Sequence, residues 1–490
     1  MTVPVAPLDL SQPSRLHVVG VGGPGMSAIA IVLAEMGHTV SGSDIREQPV
    51  LDRLRAGGVD VRVGHDRAVV HGCRAVTRSS AVPAHNIELQ EAEATGALVL
   101  RRAGMLASIC AMARSVGVAG THGKTTTTSM LMLMLAEAGW RPSFVIGGDV
   151  ADVGTGAQWT GGEWFVVEAD ESDGTHLELP LHGTILTNVE ADHLDHYGTF
   201  EGIVDGFDRY LAQLPGPKVL CADDPVCAEL APKHGAVTYG LSESAGYRGV
   251  DVHIGPGAQH FEVVRRGERL GEVALPLRGV YNVRNALGAL VMAMELGVGF
   301  DDAAAALARF GGVARRFDVR GVDGGATLVD DYAHIPGEIA AVLRAARESG
   351  DGWQRLIAVF QPNRYNRMNV LSPEYRDAFV DADVVVLTDI YASGTTPIPG
   401  VTGKLVVDAV LDAHPETRLV WLPRREDLVE WLARELHAGD VSISMGCGDV
   451  AHLPDEVLAR RAELRTSERP PGDRASMGFG GTAPGDVAAR

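Results

Sequence analysis

Residues 117–128 read GVAGTHGKTTTT, a glycine turn carrying one lysine and a run of hydroxyls, set between the apolar segment SVGVA and the helix-like TTTTSMLMLMLAEAG. Gly120, Thr121, His122, Gly123, Lys124, Thr125 and Thr126 therefore fall where a strand gives way to a helix. Amides at a helix N-terminus carry a partial positive charge of roughly half a unit and face outward, so phosphate fits there. Glycine lets the backbone close around phosphate oxygens without a Cβ, the lysine supplies a point charge, and a Thr125 hydroxyl can ligate Mg2+. The stretch fits GxxGKT and not the longer GxxxxGK[ST], because position 118 is valine. A threonine-capped turn with a solvated lysine is the bland reading, and it leaves the strand-turn-helix context unused.

A nucleotide loop needs a metal site. In EWFVVEADESD (163–173) an apolar run ends in Glu168, Asp170, Glu171 and Asp173, and carboxylates at a strand's carboxyl end suit a hard cation such as Mg2+. The following NVEADHLDHYG (188–198) holds Asp192, His193, Asp195 and His196, but the spacing matches no standard zinc pattern and no cysteine accompanies it. It is read as one histidine near the Mg2+ site.

A second glycine turn, GVGGPGM (20–26), satisfies GxGxxG through Gly20, Gly22 and Gly25, with Asp44 placed to end the next strand. Its spacing fits a dinucleotide, yet such a turn holds any diphosphate. Two phosphate-binding turns imply two nucleotides, or one nucleotide and a nucleotide-activated substrate. If the lysine turn takes ATP, the first domain holds the group to be activated and the third brings a partner to it. A nicotinamide-dependent dehydrogenase leaves Lys124 unexplained, and a non-catalytic nucleotide binder is expected to have lost Lys124 or Glu168.

The elements that position these groups follow from the rest of the 490 residues. The length fits about three domains. Hydrophobic residues make up 46% and charged ones 22%, as expected of a globular chain with several cores. Apolar strands alternate with helical patterns throughout, so the fold is α/β with parallel sheets: a Rossmann-like domain at 1–110, a central P-loop domain at 111–312, a second Rossmann-like domain at 313–462, and a disordered tail at 463–490 rich in Gly, Pro, Ala and Ser. A net charge of −20 disfavours nucleic acid and anionic lipid. Five scattered cysteines argue for reduced thiols and the cytoplasm, and no apolar run is long enough to span a membrane.

In the order GVGGPGMSAIA, GSD, TRSSAVP, GTHGKTTTT, EADESD, TNVEADHLDHYG, NVRNALGAL, RRFD, DDYAH, FQPNRY, DIYASG and GCGD, the chain resembles the Mur ligase family from about residue 16 to 450. The resemblance implies an ATP-dependent ligase of peptidoglycan precursor synthesis: a carboxylate takes the γ-phosphoryl group, and an amino acid amine then displaces phosphate. It implies ATP and Mg2+ as cofactors, UDP-N-acetylmuramate and L-alanine as substrates, and a monomer or homodimer. The alternative is a paralogous ligase using another amino acid or acceptor.

Residue by residue, the resemblance places uridine diphosphate on Gly22, Gly23, Gly25, Met26, Ser27 and Asp44, with Ser79 and Ser80 nearby. Lys124 would hold the β- and γ-phosphates. Thr125, Glu168 and His193 would serve the metal, and Asn285 would meet adenine. Arg316, Asp331, His334, Arg364 and Arg367 would close over ATP and the amino acid, an arginine pairing its carboxylate. Where the family carries histidine, this chain has Tyr281, Ile335 and Asn363. The last two losses put the identity of the amino acid in question.

Overall fold

The computed structural model describes residues 6–192 and 194–468. Three α/β domains follow one another, each built on its own sheet. In the first sheet, Arg15–Val19 lies at the centre. Thr39–Asp44 and then Asp60–Val63 flank it on one side, and Ala75–Arg78 and then Leu98–Arg101 on the other, all parallel. Parallel pairs need crossovers, and the helices Pro24–Glu35 and Ile87–Ala94 supply two of them. Buried apolar strands such as Leu16, Val18 and Val19 are what a sheet covered on both faces requires.

The second sheet has ten strands. Its centre, Arg114–Ala119, pairs in parallel with Gly183–Leu186 and Trp164–Glu168. One edge is an antiparallel meander of Tyr247–Gly255, Ala258–Arg265 and Glu268–Leu275. The apolar run after the lysine turn is the buried helix Lys124–Glu137, packed on the equally buried helix Val280–Leu296. The third sheet runs in the order Asp318–Asp323, Ala326–Asp331, Asp440–Met445, Arg355–Phe360, Val384–Leu387, Leu419–Trp421.

The chain divides into two compact units. The first holds the first two sheets, which share one hydrophobic core including Leu16, Ile29, Phe165 and Tyr210. The second holds the third sheet. The final helix, Leu453–Glu468, runs six residues into the segment expected to be a tail. Residues 469–490 of that tail lie outside the described residues. Among the described residues, no helix is long and apolar enough to cross a membrane.

Candidate active site

The lysine turn is built by two glycines that no other residue could replace without strain. Gly120 has φ 122° and Gly123 has φ 83°, in the left-handed range. A Cβ on Gly120 would stand 2.2 Å from Thr187 Oγ1, and one on Gly123 would stand 2.4 Å from Asn285 Oδ1. The helix Lys124–Glu137 starts with no side-chain cap, which leaves its first amides for a ligand.

Three residues after the strand Gly183–Leu186 grip this turn from the side. The Thr187 hydroxyl donates to His122 O at 2.6 Å, and Asn188 Oδ1 accepts from His122 N at 2.8 Å. Glu190 N donates to Thr121 Oγ1 at 2.9 Å. Sequence reasoning passed over all three, although they lie in the motif TNVEADHLDHYG.

Lys124 Nζ donates to Gly120 O at 2.6 Å and to Glu171 Oε1 at 2.8 Å. Burial alone would lower the ammonium's pKa, but Glu171, then Asp170 and Glu168, outweigh it and hold the group above the ordinary lysine value. Burial pushes the Glu171 carboxyl up against the pull of that lysine. Asp170 is held at about 2, because Lys124 and Arg102 together outweigh its own burial. Arg102 Nη2 reaches both Asp170 Oδ2 and Asp173 Oδ2 at 3.1 Å.

Glu168 ends its strand as expected, with Oε1 accepting from Gly147 N at 2.6 Å. Thr125 is buried at the helix start, its hydroxyl 3.3 Å from Arg316 Nη2. Arg316 sits between Arg315 at φ 65° and Phe317 at φ 49°, two left-handed non-glycine residues that aim it at the turn. His193, the third expected metal ligand, lies outside the described residues. Among the described residues no group of three or more His, Cys, Asp or Glu is placed to hold a metal. A Mg2+ that takes most of its shell from phosphate and water needs no such group, and the Thr125 and Glu168 oxygens fit its preference for hard donors.

In the first domain, Gly22 N donates to Asp44 Oδ2 at 2.9 Å, so the expected ribose acid also braces the glycine turn. Gly23 caps the helix Pro24–Glu35 without a side-chain bond, and Gly25 follows in its first turn. Met26 and Ser27 are buried, and the Ser27 hydroxyl donates to Pro24 O. Ser79 packs on Gly20, whereas Ser80 is exposed beside it. Asn285, expected at adenine, lies against Gly123 and donates from Nδ2 to Asn282 Oδ1. Tyr281 packs on Gly279.

In the second unit, three neighbouring strands end in one row: Asp331 pairs in register with Met445, and Met445 with Phe360. Ligands of open α/β sheets lie beyond such carboxyl ends. Asp331 Oδ1 accepts from Ala333 N, and His334 Nδ1 lies 3.2 Å from Glu338 Oε2, with the partly buried Ile335 next to it. Past Phe360 come Asn363, Arg364 and Arg367. Arg364 is exposed at φ 61°, an unusual backbone for arginine. Asn363 is 2% exposed, and among the described residues neither its Oδ1 nor the buried Arg367 Nη1 has a hydrogen-bond partner.

This arrangement agrees with known proteins. Residues 15–114 match the Mur ligase family catalytic domain, residues 118–293 the Mur ligase middle domain, and residues 315–448 the Mur ligase glutamate ligase domain. The UDP-N-acetylmuramate--L-alanine ligase of Acidothermus cellulolyticus is 45% identical over 460 residues, spanning 92% of this chain and 96% of its own. That of Rubrobacter xylanophilus is 44% identical over 451 residues, spanning 91% and 100%. The chain belongs to the Mur ligase family. Among solved structures, the UDP-N-acetylmuramate-alanine ligase of Thermotoga maritima superposes with a TM-score of 0.78 at 27% identity, over 93% of this chain and 100% of that one. A murein peptide ligase from Psychrobacter arcticus, at 24% identity and a TM-score of 0.66 over 91% of this chain and 98% of its own, shares the fold.

Proposed function

We propose that this Mur ligase joins L-alanine to UDP-N-acetylmuramate at the expense of ATP, in peptidoglycan precursor synthesis. The observation that carries the reading is the match, at 42–45% identity and over about nine-tenths of the chain, to enzymes named for that reaction. The lysine turn supports it.

The chemistry sets the protein's tasks. A carboxylate does not accept an amine at neutral pH, because oxide is a poor leaving group. One carboxylate oxygen attacks the γ-phosphorus of ATP, the β–γ anhydride bond breaks, and ADP leaves with that bond's electrons. The amine then adds to the acyl phosphate carbon. The tetrahedral intermediate collapses by expelling inorganic phosphate, and the amine loses a proton.

Positioning and charge neutralisation supply most of the acceleration of such a transfer. Lys124 and the uncapped amides of the helix Lys124–Glu137 neutralise the β- and γ-phosphates. Asn285 keeps Gly123, and hence the turn, in place. Thr125, Glu168 and His193 are assigned to Mg2+, which when bound screens charge on the phosphate oxygens. The glycine turn at Gly22, Gly23 and Gly25 holds the diphosphate of the UDP substrate, with Asp44 at its ribose. In the third domain, Arg364 and Arg367 are assigned to the amino acid carboxylate.

Incubating the protein with Mg2+, ATP, UDP-N-acetylmuramate and each amino acid in turn tests the reading. Phosphate release that is largest with L-alanine is expected. Silence with every amino acid would end it.

A further inference from the structure

We propose that His65, with Glu88 behind it, reads the base of the uridine diphosphate substrate, its Nε2 accepting the uracil N3–H. The assignment rests on the reading above, in which the first domain holds a UDP substrate.

Position comes first. The glycine turn follows the strand Arg15–Val19, and Asp44 ends the neighbouring strand. The next strand outward, Asp60–Val63, ends at Val63, the register partner of Asp44, and Gly64 N donates to Asp44 O at 2.7 Å. His65 follows at once. A nucleotide with its diphosphate on the turn and its ribose at Asp44 carries its base over this third strand end.

The chemistry of the ring fits that place. His65 Nδ1 lies 2.9 Å from Glu88 Oε2 and 3.3 Å from Ser43 Oγ. An ionised carboxylate only accepts, so Nδ1 carries a proton, and the tautomer this selects has Nε2 as its acceptor. The side chain is 21% exposed, and no described residue hydrogen-bonds Nε2. Uracil presents a donor at N3 where cytosine presents an acceptor. A fixed acceptor therefore distinguishes the two bases.

Glu88 is otherwise hard to account for. It is completely buried, it takes Ser43 Oγ at 2.6 Å and Asp66 N at 3.1 Å, and it lies 3.5 Å from His17 Nε2. Burying a charge is costly, and an apolar contact would join the same elements with less penalty. At His65 the carboxylate fixes the tautomer, because it can only accept from Nδ1. The network also reaches the glycine turn, because Ser43 O accepts from Gly20 N and Val21 N at 2.8 and 3.0 Å.

Calorimetric binding of UDP, N3-methyl-UDP and CDP to the full chain and to His65→Ala tests the proposal. The unsubstituted chain should favour UDP over N3-methyl-UDP and CDP by about tenfold or more, and His65→Ala should lose most of both preferences. Glu88→Gln, nearly isosteric, should show an intermediate loss while still melting cooperatively. A purely structural role for His65 would weaken all three ligands by the same factor, and that result overturns the proposal. If the chain releases phosphate with UDP-N-acetylmuramate yet His65→Ala keeps its base preference, only this assignment falls. If the unsubstituted chain binds no UDP, the ligase reading falls with it.

Discussion

Lys124 Nζ, on a partly buried side chain, lies 2.8 Å from Oε1 of the buried Glu171, so the cation of the phosphate turn already has an anionic partner. An incoming triphosphate must compete with that carboxylate. Glu171→Gln is therefore expected to bind a non-hydrolysable ATP analogue several-fold more tightly, read by calorimetry. Lys124→Ala should lower phosphate release by at least about 100-fold, since it removes a charge aimed at the transferring group. If Glu171→Gln weakened ATP binding as much as Lys124→Ala, Glu171 would be part of the grip and not its competitor.

Gly123 and Asn285 form a second such pair. Gly123→Ala faces both a left-handed backbone, costing roughly 1–2 kcal/mol, and a 2.4 Å approach to Asn285 Oδ1. The expected outcome is a severalfold rise in KM for ATP with little change in KM for the UDP substrate. Combining it with Asn285→Ala relieves the clash but not the backbone strain. The double variant should thus be less impaired than the product of the two single effects, which steady-state kinetics measures.

His176 offers a pH test of stability. It is buried between the rings of Phe207 and Tyr210, at 5.4 and 5.2 Å, and neither ring nitrogen has a hydrogen-bond partner among the described residues. Burial lowers its pKa from 6.5 to about 4. The unfolded chain takes up a proton in that window which the folded chain refuses, so stability falls as pH drops from 6.5 towards 4 and changes no further through this group below it. The full loss is about 3 kcal/mol. His176→Phe should flatten that part of the melting-temperature profile. An unchanged slope would mean that other groups set it.

Much of this was legible from residue order, and the failures have a common cause. The glycines at 20, 22, 120 and 123 announce their turns because backbone sign and close approach are local demands. Strands such as Arg355–Phe360 and Val384–Leu387 are legible because sheets covered on both faces need unbroken apolar runs. The partner of Lys124 is not legible. Glu168, Asp170, Glu171 and Asp173 fall within six residues and share one chemistry, and only the path of the chain past Glu168 decides that Glu171 turns in to the ammonium while Asp170 and Asp173 meet Arg102. The grip of Thr187, Asn188 and Glu190 on the turn is similarly a consequence of sheet order, which puts Gly183–Leu186 next to Arg114–Ala119 although about 70 residues separate them. The left-handed backbone at Arg364 leaves no trace in sequence, since arginine has no preference for it.

The third domain carries the last prediction. Asn363 Oδ1 and Arg367 Nη1 are buried without partners among the described residues, and an unpaired buried polar atom costs about 1–3 kcal/mol. That cost is recovered if both atoms meet the amino acid, Arg367 at its carboxylate and Asn363 at its amine. Asn363→Ala should then raise KM for the amino acid severalfold while leaving KM for ATP within about twofold, and Arg367→Ala should do so more strongly. The same two variants, tested with glycine, serine and alanine, separate recognition of the shared backbone groups from recognition of the side chain. Equal losses for all three mean that Asn363 holds the amine that every amino acid presents. A change in their ranking means that Asn363 selects the substrate.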